Sequence, residues 1–320
     1  MTCYPVIIPT LCRYEKLKKC IGSLSNNTIA SETELIIGLD YPPSDKYEEG
    51  WKKIKEYIPT ISGFKTVTCL ERTENYGSSK NSIDLENYAL SKYDAYIYSE
   101  DDNIFSPYFL QFMNDGLEKY KNDDSVFAVC GYSYPIDWKT DKDCILQQQY
   151  FSAWGYGIWK DREEKYRAEI KNDFLRKKIN ANEIKRLKRS PANFVEFMGH
   201  AFVDTIPIYD ISRSFYTYLN ALNILMPSKT LVTNDGWDGS GEHCQKNTTF
   251  DLSNKNRNGS VMVNINSVES VFSNQLELLV YSLKPGLSFI KAEIKYFIIR
   301  IFGIQILRKI KNLTERGFIK

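Results

Sequence analysis

Ala95–Ser106 reads AYIYSEDDNIFS, and the fold turns on this stretch. An apolar, β-favouring run, Ala95 to Tyr98, ends abruptly in Glu100, Asp101 and Asp102, followed by Asn103 and a turn at Ser106-Pro107. Three adjacent carboxylates at the mouth of a buried strand repel one another and lose hydration, so something cationic must compensate them. A hard divalent ion, Mg²⁺ or Mn²⁺, meets that need: it prefers oxygen donors and, carrying only one or two carboxylates, keeps positions open for phosphate. In open α/β sheets ligands bind at the carboxyl ends of strands, where these acids fall. The plainer alternative is an acidic turn opening the next helix, since Asp and Asn cap helices well.

Toward the N-terminus, strands alternate with helices. Tyr4–Ile8 reads as a buried strand ending in Pro9-Thr10, with Arg13 in the turn. Leu17, Cys20, Ile21 and Leu24 then recur at helical spacing. Glu34–Leu39 is a second strand ending in Asp40, Tyr47–Ile58 a helix, Phe64–Leu70 a third strand and Ser79–Leu90 a helix leading into Asp94–Tyr98. Such alternation implies an α/β fold with a mixed, mainly parallel sheet flanked by helices. No GxGxxG follows the first strand and no GxxxxGK[ST] occurs anywhere, which disfavours a dinucleotide oxidoreductase and a P-loop NTPase. Thr10, Arg13, Asp40 and the acid triplet stand at strand ends instead. The Asp40 carboxylate could accept a uracil imide N–H or simply cap its turn. Arg13 could meet a diphosphate or base, or be a surface cation.

Beyond the acids, Pro107–Lys119 has a helical apolar face (Phe109, Leu110, Met113, Leu117) and Val126–Gly131 reads as a strand. Tyr150–Trp159, YFSAWGYGIW, is read as an aromatic-glycine loop: its glycines permit close backbone approach and its rings, Trp154 among them, could line a sugar platform or a tight core turn. Glu163–Arg189 is a basic helical region, either a solvated face or a contact for an anionic surface. After Asp210, Ile211, Phe215, Tyr218 and Leu219 are spaced to face inward from a helix. A short strand near Thr230–Val232 precedes NDGWDGSGEHC, a Gly/Ser loop carrying His243 that could wrap a phosphate or a metal. Asn/Ser/Lys-rich sequence from Gln245 to Asn266 reads as a linker.

In Gly286–Lys320, apolar residues including Phe297, Ile301 and Ile304 recur near helical spacing among Lys and Arg. This is a basic amphipathic helix suited to a membrane interface or to packing on the body of the protein. The 320 residues carry 42% hydrophobic residues and a formal charge of +2, which offers no general attraction for nucleic acid. Seven cysteines without CxxC spacing fit a reducing compartment and free thiols rather than a disulfide framework. The short, uncharged N-terminal apolar run reads as a first strand, not a signal peptide.

Taken with Arg13 and Asp40, SEDD after an apolar strand resembles the GT-A glycosyltransferases, with N-acetylglucosaminyltransferase I and its EDD motif the nearest catalytic parallel. AWGYGIWKDRE and LVTNDGWDGSGEHC resemble blocks of bacterial sugar transferases, so the likeness runs from about Val6 to Cys244. It implies a GT-A (Rossmann-like) catalytic domain over 1–250, divided into a nucleotide-binding half (1–105) and an acceptor-side half (106–250). A linker over 251–285 and a membrane-associating helix over 286–320 would follow. Asp102 would be the carboxylate on Mn²⁺ or Mg²⁺. Pro9, Thr10, Arg13, Asp40, Glu100 and Asp101 would bind the donor, and Trp154, Gly155, Asp161, Asp238 and His243 would line the acceptor and sugar pocket. The base would be Asp210, beside Tyr209, although the family pattern has two consecutive Asp here and this chain has Ile211; Asp161 and Asp204 are reserves.

The implied activity is inverting transfer from a nucleotide-sugar, a UDP-sugar above all, to a hydroxyl of a glycan or lipid-linked glycan for capsule or lipopolysaccharide. The enzyme would be cytoplasmic and peripheral at the inner face of the cell membrane. A nucleotidyltransferase, which also sets carboxylates and Mg²⁺ at strand ends, and a non-catalytic carbohydrate-binding protein are the rival classes.

Overall fold

The computed structural model describes residues 3–134, 138, 140, 143–171, 209–236, 262–270, 297 and 301. These residues build an α/β fold around a nine-stranded, mainly parallel sheet, with a two-stranded ribbon beside it. In chain order the elements are β1 (Val6–Thr10), α1 (Tyr14–Ser25), β2 (Glu34–Leu39), α2 (Asp45–Tyr57), β3 (Thr66–Glu71), α3 (Gly77–Leu90), β4 (Ala95–Tyr98), β5 (Asn103–Phe105) and α4 (Phe109–Tyr120). There follow β6 (Val126–Cys130), β7 (Cys144–Gln148), β8 (Tyr156–Trp159), α5 (Lys160–Lys171), α6 (Tyr209–Leu219), β9 (Asn223–Pro227), β10 (Val232–Asn234) and β11 (Asn264–Ser270). Across the sheet the order is β11-β7-β9-β6-β8-β4-β1-β2-β3.

The first half forms as its patterning dictates. β1, β2 and β4 are buried almost throughout because parallel strands are covered by helices on both faces. They pair in parallel (β1 with β2 and β4, β2 with β3), joined by α1, α2 and α3. Leu17, Cys20, Ile21 and Leu24 are the buried face of α1, and Phe109, Leu110, Met113 and Leu117 are buried on α4. β3 is the edge strand and is the most exposed of these. The common direction of β1, β2 and β4 brings Thr10, Asp40 and Glu100–Asp102 to one edge of the sheet.

The second half departs from its sequence reading. Tyr156–Trp159, expected in a loop, is the central strand β8, antiparallel to both β4 and β6. Glycine hides its strand character and leaves room for α4: a Cβ on Gly157 would lie 2.9 Å from Leu117 Cδ1, whose side chain would have to shift. The core face of α6 is more polar than expected. Phe215 is buried, but so are Ser212, Arg213, Ser214 and Thr217, while Tyr218 and Leu219 are half-buried. β5 is short and β11 polar, so neither has a strand pattern in the sequence, and β7 and β9 are strands that the sequence reading does not include. Asn264–Ser270, inside the stretch read as linker, pairs with β7 and so joins the sheet. Cys3, Cys12, Cys20, Cys69, Cys130 and Cys144 are free thiols. No described helix is long and apolar enough to cross a membrane. The tail helix read over 286–320 falls outside the described residues except Phe297 and Ile301, which are helical and exposed.

Candidate active site

The acid edge is held together by residues from three parts of the chain. Thr10, closing β1, donates Oγ1–H to Asp101 Oδ2 at 2.8 Å. Arg13, just before α1, forks its guanidinium across two carboxylates: Nη1 donates to Asp102 Oδ2 at 2.6 Å and Nη2 to Asp101 Oδ1. Asp101 and Asp102 are buried, and Arg13 is itself mostly shielded, so this two-pronged contact is far less screened than a surface ion pair.

The third contribution comes from the β10–β5 ribbon, whose antiparallel register sets Asn234 opposite Asn103. Asn234 Nδ2 donates to Asp102 Oδ1 at 2.6 Å, and the N–H of Asp235 donates to the carbonyl of Asp102 at 2.8 Å. Lys16 and Lys19 of α1 hold the Asp235 carboxylate at 3.2 and 3.0 Å. At Gly236 a Cβ would stand 2.3 Å from Asp102 Oδ2, so only glycine lets this loop pass so close to the acid. Asn234 was not among the residues singled out from sequence. Its one signal is its place directly after the expected strand at Thr230–Val232.

Electrostatics at this edge are strained in one direction. Burial lifts the Glu100 carboxyl well above its ordinary range, repulsion from Asp102, Asp210 and Asp101 adds to the lift, and Arg13 opposes it. Asp101 is also raised, by burial first, against the pull of Arg13. The Arg13 guanidinium titrates higher than usual because the two carboxylates outweigh its burial. Asp210, in the first turn of α6, thus lies close enough for its charge to bear on Glu100.

The surroundings fit a divalent ion by charge and donor type. Arg13 pairs with Asp101 and Asp102, the charge of Asp210 bears on Glu100, and all four carboxylates offer hard oxygen donors. Among the described residues no group of three or more His, Cys, Asp and Glu is placed to hold a metal ion by itself. A Mg²⁺ or Mn²⁺ ion that takes its remaining ligands from a diphosphate and water needs no such group.

The other expected site residues fall into three groups. Asp40 is at this edge, but its oxygens are engaged: Oδ1 accepts the N–H groups of Tyr41 (2.9 Å) and Tyr76 (2.8 Å), and Oδ2 accepts the N–H of Gly77 (2.8 Å) and Nδ2 of Asn75 (3.3 Å). It therefore caps the N-terminus of α3, where unsatisfied amides and the helix dipole favour an anion, and a uracil contact would compete with these bonds. Pro9 pairs with Gly38 inside the sheet.

Trp154 and Gly155 lie at the acid edge, because β8 continues opposite β4 from the pair Tyr98 and Tyr156. Gly155 has φ +68°, and its carbonyl accepts the N–H of Gly131 at 2.7 Å. Trp154 meets Tyr132 edge-on at 4.7 Å, and Tyr134 meets Tyr150 at 4.9 Å, an aromatic cluster beside the acids.

Asp161 lies away from the acids. It follows β8, whose last residue pairs with Ala95 at the start of β4, so it stands at the opposite edge of the sheet. The four residues of β4 put roughly 13 Å between the two edges. Asp161 instead accepts Arg162 Nη1 at 2.8 Å. Asp204, Asp238 and His243 lie outside the described residues.

No protein-family model matches the sequence, and no curated protein matches it significantly. The solved structures that the fold is similar to include S. aureus TarS 1-349, at 11% identity and TM-score 0.42 over 94% of this chain and 81% of that one. They also include the mannosyltransferase PcManGT from Pyrobaculum calidifontis in complex with GDP-Man and Mn²⁺, at 16% identity and TM-score 0.36 over 51% of this chain and 46% of that one. S. aureus TarS 1-349 in complex with UDP-GlcNAc matches at 13% identity and TM-score 0.30, over 40% and 34%. This chain thus spans less than half the length of PcManGT that it is matched against.

Proposed function

We propose that this chain is a metal-dependent, inverting GT-A glycosyltransferase that uses a nucleotide-sugar, a UDP-sugar above all. The observation that carries the reading is the convergence, at the carboxyl ends of β1 and β4, of Thr10, Arg13 and the three acids with Asp210 from the other half of the chain. Thr10 and Arg13 hold Asp101 and Asp102 in place, and Arg13 can also turn its remaining N–H groups toward a diphosphate. Asp102, with Asn234 orienting its second oxygen, would carry the divalent ion, which when bound neutralises the charge gathering on the departing nucleoside diphosphate. Asp210 takes the proton from the acceptor hydroxyl as its oxygen bonds to the anomeric carbon and the bond from that carbon to the diphosphate breaks. One displacement inverts the centre. The aromatic cluster of Tyr132, Tyr134, Tyr150 and Trp154 shapes the sugar side of the site.

The acceptor in this reading is a glycan or lipid-linked glycan for capsule or lipopolysaccharide, met at the inner face of the cell membrane through the basic tail at 286–320. The enzyme is to be incubated with a panel of nucleotide sugars and Mn²⁺ while the released product is identified. Nucleoside diphosphate supports sugar transfer. Pyrophosphate indicates a nucleotidyltransferase, and no release by a folded protein indicates a binding module. Asp210→Asn should abolish transfer while donor binding is retained; full turnover by this variant removes Asp210 as the base.

A further inference from the structure

Behind the acid edge lies a ring of four charged side chains outside the site described above, three of them buried (Glu86, Glu163 and Arg213) and the fourth, Arg167, half-buried. Arg213 of α6 is fully buried and donates Nη2 to Glu163 Oε2 of α5 at 2.8 Å, with Glu86 Oε1 of α3 at 3.8 Å. Arg167 of α5 closes the ring: its Nε donates to Glu163 Oε1 at 2.7 Å and its Nη2 to Glu86 Oε2. Around the Arg213 guanidinium stand Phe151, Tyr156 and Tyr166, with ring centroids at 5.5, 5.3 and 4.8 Å. Tyr156 in turn stacks on Tyr98 at 5.1 Å, and Tyr98 is the last residue of β4, two before Glu100. The ring is thus linked through Tyr156 and Tyr98 to the strand that carries the acids.

As a source of stability this arrangement is poor. Burial strips these groups of most of their hydration, and apolar side chains of similar volume commonly serve a core as well or better. What charged hydrogen bonds provide, and apolar packing does not, is direction. The rest of the α6 docking face is directional too. Ser212 Oγ meets Tyr166 Oη at 2.6 Å, Thr217 Oγ1 donates to the carbonyl of Gln149 at 2.8 Å, and Ser214 Oγ accepts the N–H of Phe151 at 3.2 Å. Asp210 precedes Arg213 by three residues, which on a helix is roughly 4.5 Å of rise and nearly a full turn. A helix held by oriented bonds one turn below its first acid cannot slide or roll without carrying that acid away.

We propose that the Glu86–Arg167–Glu163–Arg213 ring positions Asp210, setting the depth and rotation of α6 so that its first-turn carboxylate faces the acids of β4. This rests on the reading of Asp210 as the base; Arg213 and Glu163 are positioning residues that touch neither donor nor acceptor.

Glu163→Gln and Arg213→Lys test it: the first keeps size but removes the charge, the second keeps the charge but removes the guanidinium fork. Each should leave donor affinity and acceptor KM within about two-fold of wild type and lower kcat on the order of 100-fold, the usual effect of a small misplacement of a reacting group. Amide hydrogen exchange at residues 209–214 should quicken while β1 and β4 keep their protection. Folded variants with unchanged kcat overturn the proposal. Exchange arbitrates independently of turnover: unchanged exchange at 209–214 overturns the positioning ring even in an active enzyme. Absence of nucleotide-sugar turnover by the wild type overturns the glycosyltransferase reading alone.

Discussion

Arg13 answers at residue scale the question posed by three adjacent acids, since a guanidinium spans Asp101 and Asp102. It leaves Glu100 without comparable compensation, which is why burial and repulsion drive that carboxyl upward. If Asp102 carries the divalent ion, Asp102→Ala should abolish transfer, and EDTA should do the same to the wild type with recovery on adding Mn²⁺; a rate indifferent to both would refute the metal role. Asn234 gives a sharper test of the geometry. Asn234→Asp replaces a donor 2.6 Å from Asp102 by a like charge. It should destabilise the fold by about 2 kcal/mol at pH 8 and by less at pH 5, where buried acids take up protons. Urea unfolding at the two pH values would check this, and equal midpoints for variant and wild type would contradict it.

For the elements, the decisive feature is how helices and strands are aimed by buried polar groups. Asp40 joins β2 to the start of α3 through two backbone amides. Asp40→Ala should cost roughly 1–2 kcal/mol, the worth of a good helix cap, measurable as a lower unfolding midpoint without any nucleotide present. Gly155 holds the turn into β8 at positive φ, with Phe109 and Val232 both 3.0 Å from where a Cβ would stand; Gly155→Ala should lose on the order of 1–3 kcal/mol.

The ion ring makes stability depend on pH. Burial and repulsion from Glu163 raise Glu86 to about 7, against the pull of Arg213 and Arg167. The phenols of Tyr96, Tyr156 and Tyr166 also lie close to these charges. Between its ordinary range and about 7 the folded protein holds a proton at Glu86 that the unfolded chain has released. Stability from this group is therefore full at low pH and falls as pH rises through that window. Thermal unfolding from pH 4.5 to 8 should show that decline in the wild type and a flatter profile in Glu86→Gln; parallel profiles would show that Glu86 does not titrate there.

Across the whole molecule, the proposed reading assigns membrane contact to the tail at 286–320. Its exposed Phe297 and Ile301 are one helical turn apart among basic neighbours. Removing residues 286–320 should shift the protein from the membrane pellet to the supernatant, and unchanged fractionation would count against a peripheral anchor. The first half of the sheet was legible from residues alone. Strand and helix periods are local properties, so Val6–Thr10, Glu34–Leu39 and Ala95–Tyr98 announce buried parallel strands, and parallel strands necessarily bring their terminal residues, Thr10, Asp40 and Glu100, to one edge. The second half was not legible in this way. The central position of β8, the arrival of Asn234 on Asp102, the exclusion of Asp161 to the far edge and the burial of Arg213 among α3, α5 and α6 all depend on strand order and direction. Residues far apart in the chain settle that order by packing together, and no local period encodes it.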